Sequence, residues 1–187
     1  MKVSDTNVSR IWTIGHSTRT SEEFLDLLAS NNIEAVADVR SYPGSRRYPH
    51  FNAEALSESL MKMEIDYVPL KKLGGRRRSA ANSPNTVWRS DSFRGYADYM
   101  ETEDFREGIA ALLELARRRR TVVMCSEAVW WRCHRALISD YLKASGVTVE
   151  HIMDGKKKVI HPFTAAARIE NGELVYGSAQ SRQAEGD

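Results

Sequence analysis

Thr121-Val122-Val123-Met124-Cys125-Ser126-Glu127 takes an apolar run directly into a thiol, a hydroxyl and a carboxylate. A short run of β-branched and apolar residues bounded by polar ones reads as a strand buried inside a sheet. After five intervening residues come Cys133-His134-Arg135, so both cysteines of the chain fall just past this strand. In an open parallel α/β sheet the C-terminal edge of the strands is where ligands bind, because loops and helix N-termini converge there. The stretch therefore predicts a central strand that ends in a candidate site, with a helix from Trp131 to Ser145 following it.

Working outward, the same alternation recurs. Ile11-Trp12-Thr13-Ile14 is a strand that stops at Gly15-His16-Ser17, and Ala35-Val36-Ala37-Asp38-Val39 is a second, ending at Arg40. Asp66–Leu70 and Val147–Ile152 supply two more. Between them lie helical patterns. Thr20 with Glu23 makes a capping box before Phe24, Leu27 and Leu28, and Asn52 can cap a helix carrying Leu56, Leu60 and Met63. Phe93–Met100 reads as a short helix, and Thr102 opens a long one with the stripe Phe105, Ile109, Leu112, Leu113 and Ala116. Alternating strands and helices predict an α/β fold: a single domain with an open, mainly parallel sheet and helices on both faces. The domain is expected over residues 11–176, between flexible ends at 1–10 and 177–187, with Leu174–Tyr176 as a small edge strand. Residues 72–92 are rich in Gly, Arg, Ser, Asn and Pro and form the longest irregular segment.

The chain has 187 residues, 42% hydrophobic and 28% charged, with a formal net charge of +2. That length suits one domain with a substantial core. No run approaches the roughly 18–20 apolar residues of a membrane span, and two cysteines without a secretion signal point to a reducing cytoplasm. The positive charge is clustered at Arg46-Arg47, Arg76–Arg78, Arg117–Arg120 and Lys156–Lys158. The third cluster closes a helix, where cations complement the dipole. The loop clusters suit either plain solvation or contact with phosphate, as in a nucleic-acid partner.

If the strands are parallel, His16, Ser17, Asp38, Arg40, Cys125, Glu127 and His151 meet along one edge. Glu127, two residues beyond a buried strand, is the candidate general base or nucleophile at a sugar carbon, with helix capping as its alternative. His16 can serve as acid/base or bond a loop carbonyl. Cys125 is a candidate catalytic thiol or a small core residue. Arg40 suits either an anion or a pairing with Asp38, while Arg135 near a helix N-terminus is a second anion contact. Ser17, Tyr42, Ser45, Cys133 and His134 complete the expected substrate contacts. Zinc on Cys125, Cys133, His134 and His151 is disfavoured: no Cys-x2-Cys knuckle is present, and adjacent helical positions point about 100° apart. No cofactor or metal is expected.

Taken together, Thr13-Ile14-Gly15-His16-Ser17, Asp38-Val39-Arg40, Pro43 with Ser45, Leu73-Gly74-Gly75, Phe93 with Tyr96-Ala97, Cys125-x-Glu127 and Cys133-His134-Arg135, with His151 and His161, resemble domain-of-unknown-function family 488. The resemblance spans about Ile11 to His161 and implies a small α/β protein with these site residues, without fixing a reaction. Asp38-Val39-Arg40 and a cysteine after the central strand also resemble rhodanese-like domains. A Gly-rich cradle would follow the cysteine there, whereas Ala128-Val129-Trp130-Trp131-Arg132 is bulky. The expected function is an enzyme of hydrolase or N-glycosidase type on a phosphate-bearing nucleoside, nucleotide or nucleic acid. A non-catalytic nucleic-acid or protein binder, or a thiol or zinc protein, is the alternative.

Overall fold

The run at 121–125 forms a strand with every residue buried, and the sheet is assembled on either side of it. The computed structural model describes residues 8–176. In chain order the elements are β1 (Arg10–Gly15), α1 (Ser21–Ser30), β2 (Ala35–Asp38), α2 (Ala53–Met61), β3 (Asp66–Pro69), α3 (Asp91–Tyr99), α4 (Glu103–Arg118), β4 (Thr121–Cys125), α5 (Arg135–Ala144), β5 (Thr148–Ile152), β6 (Lys158–Ile160), β7 (Arg168–Glu170) and β8 (Glu173–Val175). The main sheet has six strands in the order β3-β2-β4-β1-β5-β6. Its first five strands are parallel, and β6 joins antiparallel to β5. This is the open, mainly parallel α/β sheet expected from the alternating pattern.

Helices cover both faces because alternate strand residues are apolar on both sides. Trp12, Ile14, Val36, Val122, Met124 and Ile152 face α1 and α2 through Phe24, Leu28, Leu56 and Leu60. Ile11, Ala35, Ala37, Val123, Cys125 and Val149 face α4 and α5 through Phe105, Ile109, Leu112, Leu137 and Ile138. Connections running from β1 out to β3 cross one face, and those returning through β4 to β5 cross the other, as right-handed crossovers require. The loops after β1 and β4, adjacent strands, therefore leave towards opposite faces. That divergence is a topological switch point.

The local chemistry follows the sequence in places and departs from it in others. Thr20 and Glu23 make the full capping box at the start of α1, and the Thr102 hydroxyl accepts from Phe105 N–H at the start of α4. Asn52 stands at the N-cap of α2, but its side chain makes no cap bond there; its Oδ1 accepts from the Ser45 N–H at 2.5 Å instead. The helix expected from Trp131 starts only at Arg135. Trp130–Arg132 forms a separate 3₁₀ turn, and Cys133 is extended at φ −133° and ψ 150°. The break lets Trp130 stack on His151, with ring centroids 4.5 Å apart, while Cys133 turns to Cys125. The edge strand expected at Leu174–Tyr176 pairs not with the main sheet but with β7, in a separate two-stranded hairpin. Its turn is Asn171-Gly172, both at positive φ, as a two-residue type I′ turn demands. The expected flexible ends at 1–10 and 177–187 fall mostly outside the described residues. Of the remainder, Val8 is buried and Arg10 already belongs to β1.

Candidate functional site

The β1–β4 pairing continues past both strands, with His16 N–H donating to Cys125 O and Ser17 N–H to Ser126 O, each at 2.9 Å. Only glycine permits this approach at position 15: a Cβ there would lie 1.7 Å from the Glu127 carbonyl oxygen. Beyond the zipped segment the two loops part, and a cavity of about 660 Å³ opens between them. His16, Ser17, Arg40, Tyr42, Ser45, Cys125, Glu127, Cys133 and His134 all line it. Ser17 and Arg76, two of its wall residues, are held in the left-handed region at φ 53° and 60°. Non-glycine residues occupy that region at some cost, and such positions concentrate at ligand sites.

At one side of the floor, Arg40 is clamped. Its Nε and Nη2 donate to the Asp38 carboxylate, with Nη2–Oδ2 at 2.6 Å, and its Nη1 donates to Phe51 O at 2.8 Å. Tyr67 also donates to Asp38, at 2.7 Å. Because a guanidinium only donates, the 3.3 Å contact between Arg40 Nη1 and His16 Nε2 makes Nε2 the acceptor. His16 Nδ1–H then donates to Ser17 O at 3.0 Å. Burial first, and the Arg40 charge second, lower the His16 pKa from 6.5 to about 4. His16 stacks on Phe51 at 4.2 Å and is a neutral, fixed ring. Arg40 is thus a structural pairing before it is an anion contact, and His16 holds it.

The opposite side of the floor is sulfur. Cys125 and Cys133 sulfurs lie 2.6 Å apart. His134 Nε2–H donates to the Val39 carbonyl at 3.1 Å, which leaves Nδ1 as a lone pair facing Cys133 Sγ at 3.5 Å. Gly75 permits this ring position, since a Cβ there would meet His134 Nδ1 at 2.8 Å. Burial raises the Cys125 thiol well above its ordinary value. Burial acts in the same sense on Cys133, but the hydrogen bond from Cys125 and the charge and N–H of Arg135 outweigh it, bringing that thiol from 9.0 down to about 6. Among the described residues no three His, Cys, Asp or Glu side chains are grouped to hold a metal ion.

Arg135 departs from the expected role. It is only 1% exposed and is absent from the cavity lining. Its Nη2 donates to the Glu127 carbonyl at 2.5 Å and its Nη1 to Thr13 Oγ1 at 3.4 Å. The guanidinium therefore fixes the 125–127 loop from behind. Thr13 heads a buried relay: Thr13 Oγ1 to His151 Nδ1 at 2.7 Å, His151 Nε2 to His161 Nδ1 at 2.9 Å, and His161 Nε2 to Asp140 Oδ1 at 3.0 Å. Asp140 also accepts from Thr164 and Tyr176. His151, expected at the ligand edge, lies inside this relay beneath Trp130 and does not reach the cavity.

Glu127 stands exposed on the cavity wall, and among the described residues nothing bonds or pairs with its carboxylate. Among the described residues it is the one acidic side chain of the lining. Two cations share the wall, Arg76 near the Tyr42 ring at 5.5 Å and Arg132. Arg132 and the hydroxyls of Thr18, Ser41 and Tyr48 were not singled out from the sequence, for no local pattern marks a loop residue that reaches a cavity from afar. Part of the remaining basic charge is engaged elsewhere. Arg77 stacks on Tyr99 at 3.6 Å, Arg120 on Trp12 at 3.7 Å, and Arg117, Arg118 and Arg119 pair with Glu114 and Asp66.

No helix among the described residues is long and apolar enough to cross a membrane. One family model, Domain of unknown function DUF488, matches residues 20–142, more than half of the chain. Among curated proteins and solved structures, no match is found.

Proposed function

The chain belongs to the DUF488 family, whose description names no activity, and from its cavity we propose an enzyme of hydrolase or N-glycosidase type acting on a phosphate-bearing nucleoside or nucleotide. The observation that carries this reading is the wall of the cavity: an unpaired carboxylate, Glu127, shares it with Arg76, Arg132 and several hydroxyls. Cations and hydroxyls suit a phosphorylated, hydroxyl-rich ligand. A carboxylate free of intramolecular bonds is available to take a proton from water, or to attack the sugar carbon. Among the described residues Glu127 is the one acid of the lining, so they supply neither a pair of carboxylates for O-glycoside cleavage nor an acidic cluster for two Mg²⁺ ions. N-glycosidic hydrolysis, in which the base is the leaving group, asks for less and is favoured. His16 and Arg40 form the rigid floor against which the substrate rests.

A thermal-shift survey of nucleoside phosphates and sugar phosphates tests the reading. At least one should raise Tm, and Arg76→Ala with Arg132→Ala should remove that shift. Glu127→Gln should keep the shift and lower turnover of the same ligand about 100-fold or more. Unchanged turnover in Glu127→Gln would end this proposal.

A further inference from the structure

Arg135 presents an electrostatic question that the hydrolytic reading leaves unanswered. Its guanidinium is sealed from solvent, and among the described residues it has no carboxylate partner and its Nε has no hydrogen-bond acceptor. A buried cation without a counter-charge is strongly disfavoured. The groups beside it that can become anionic are the sulfurs of Cys125 and Cys133, whose interaction with Arg135 favours its charged form. The two sulfurs are 2.6 Å apart, and both residues line the cavity. They are not equivalent. Cys133 stands one residue before the N-cap of α5 and receives the hydrogen bond from Cys125 together with the charge and backbone N–H of Arg135, so negative charge is stabilised on its side of the pair. Cys125, at the end of β4, remains the protonated partner. The mouth above them carries Arg76 and Arg132.

We propose that Cys133 and Cys125 form a redox-active dithiol that exchanges with small anionic disulfides entering the cavity, Cys133 attacking and Cys125 resolving. In the first step the Cys133 thiolate attacks one sulfur of RS–SR; a bond forms from Cys133 Sγ to that sulfur, the RS–SR bond breaks, and RS⁻ leaves. In the second step Cys125 gives up its proton and attacks Cys133 Sγ. The protein disulfide forms, the mixed disulfide breaks, and the second RS⁻ departs. Two protons are taken up by the two leaving thiolates, one of them Cys125's own and the other from solvent at a pH where RSH is the stable form. Two electrons pass from the protein dithiol to the small disulfide. The sulfurs are already adjacent, so the resolving step needs no large movement. This activity does not involve Glu127, and its failure or success leaves the hydrolytic reading independent.

The test uses the reduced, full-length protein and 5,5′-dithiobis(2-nitrobenzoate), a dianionic aromatic disulfide. Wild type should release two equivalents of the coloured thiolate and retain no adduct, its intact mass falling by two hydrogens. Cys125→Ser should release one equivalent and keep the adduct on Cys133. Cys133→Ser should react at least ten-fold more slowly than wild type; Cys125→Ala and Cys133→Ala serve the same purpose if the hydroxyl is not tolerated in the core. In Cys125→Ser the rate should rise with a midpoint well below that of an ordinary thiol. Two adducts retained on wild type, equal reactivity in Cys133→Ser, an ordinary thiol midpoint, or reaction only after unfolding would each overturn the proposal.

Discussion

Gly15 and Arg135 show how single residues set the geometry of the cavity. Gly15 lets the backbone of β1 lie against the Glu127 carbonyl, and a methyl group there would sit 1.7 Å from that oxygen. The collision is with backbone that Arg135 also pins, so it cannot be relieved by a side-chain rotation. Gly15→Ala should therefore destabilise the fold by ~3 kcal/mol, read as a lowered urea midpoint, and should distort the 125–127 loop. At this scale the sequence was a good guide to which residues converge. Cys125, Glu127, Cys133, His134, His16 and Arg40 all line one cavity, because they end a strand, follow one, or lead into the helix after one, and parallel strands end together. It was a poor guide to what each one bonds. The Asp38–Arg40–His16 chain and the buried position of Arg135 depend on side-chain directions that no spacing rule encodes.

Among the elements, α1 and α5 illustrate the difference between a local signal and a tertiary one. The start of α1 is written locally: Thr20 and Glu23 satisfy each other's backbone N–H groups. Thr20→Ala should cost about 1 kcal/mol, seen as a lower thermal midpoint with the cavity unchanged. The start of α5 is decided elsewhere. Trp131 and Arg132 fit a helix pattern, yet the demand that Trp130 cover His151 and Cys133 meet Cys125 breaks the chain into a turn and an extended residue. The β7–β8 hairpin was the opposite case. Asn171-Gly172 between two short β-rich runs is a strong turn signal, but its strands are three residues each and too short for alternation to declare itself.

For the molecule as a whole, buried titratable groups make stability a function of pH. The unfolded chain takes up a proton on His16 near pH 6.5, whereas the folded protein resists until about 4, chiefly through burial and then the Arg40 charge. The unfolded state thus binds more protons across that window, and stability falls as the pH drops through it. The loss should be roughly 3 kcal/mol for this residue, and His151, also lowered by burial, adds in the same direction. Cys133 acts at higher pH. Its thiol ionises near 6 in the folded state and near 9.0 when unfolded, so stability rises from about pH 6 to pH 9 and is lost again on the way down. Urea titrations from pH 4 to pH 9 should show both slopes, the lower one flattened by His16→Gln and the upper one by Cys133→Ser.

The margins of the sheet carry a last consequence. One outer strand, β3, finishes at Pro69, which has no amide hydrogen to offer, and begins with the exposed Asp66. The other, β6, is only three residues long and opens on Lys158. Neither rim gives an incoming peptide a run of open amides to copy, so a crowded solution of this protein has no ready seed for fibrils at either flank.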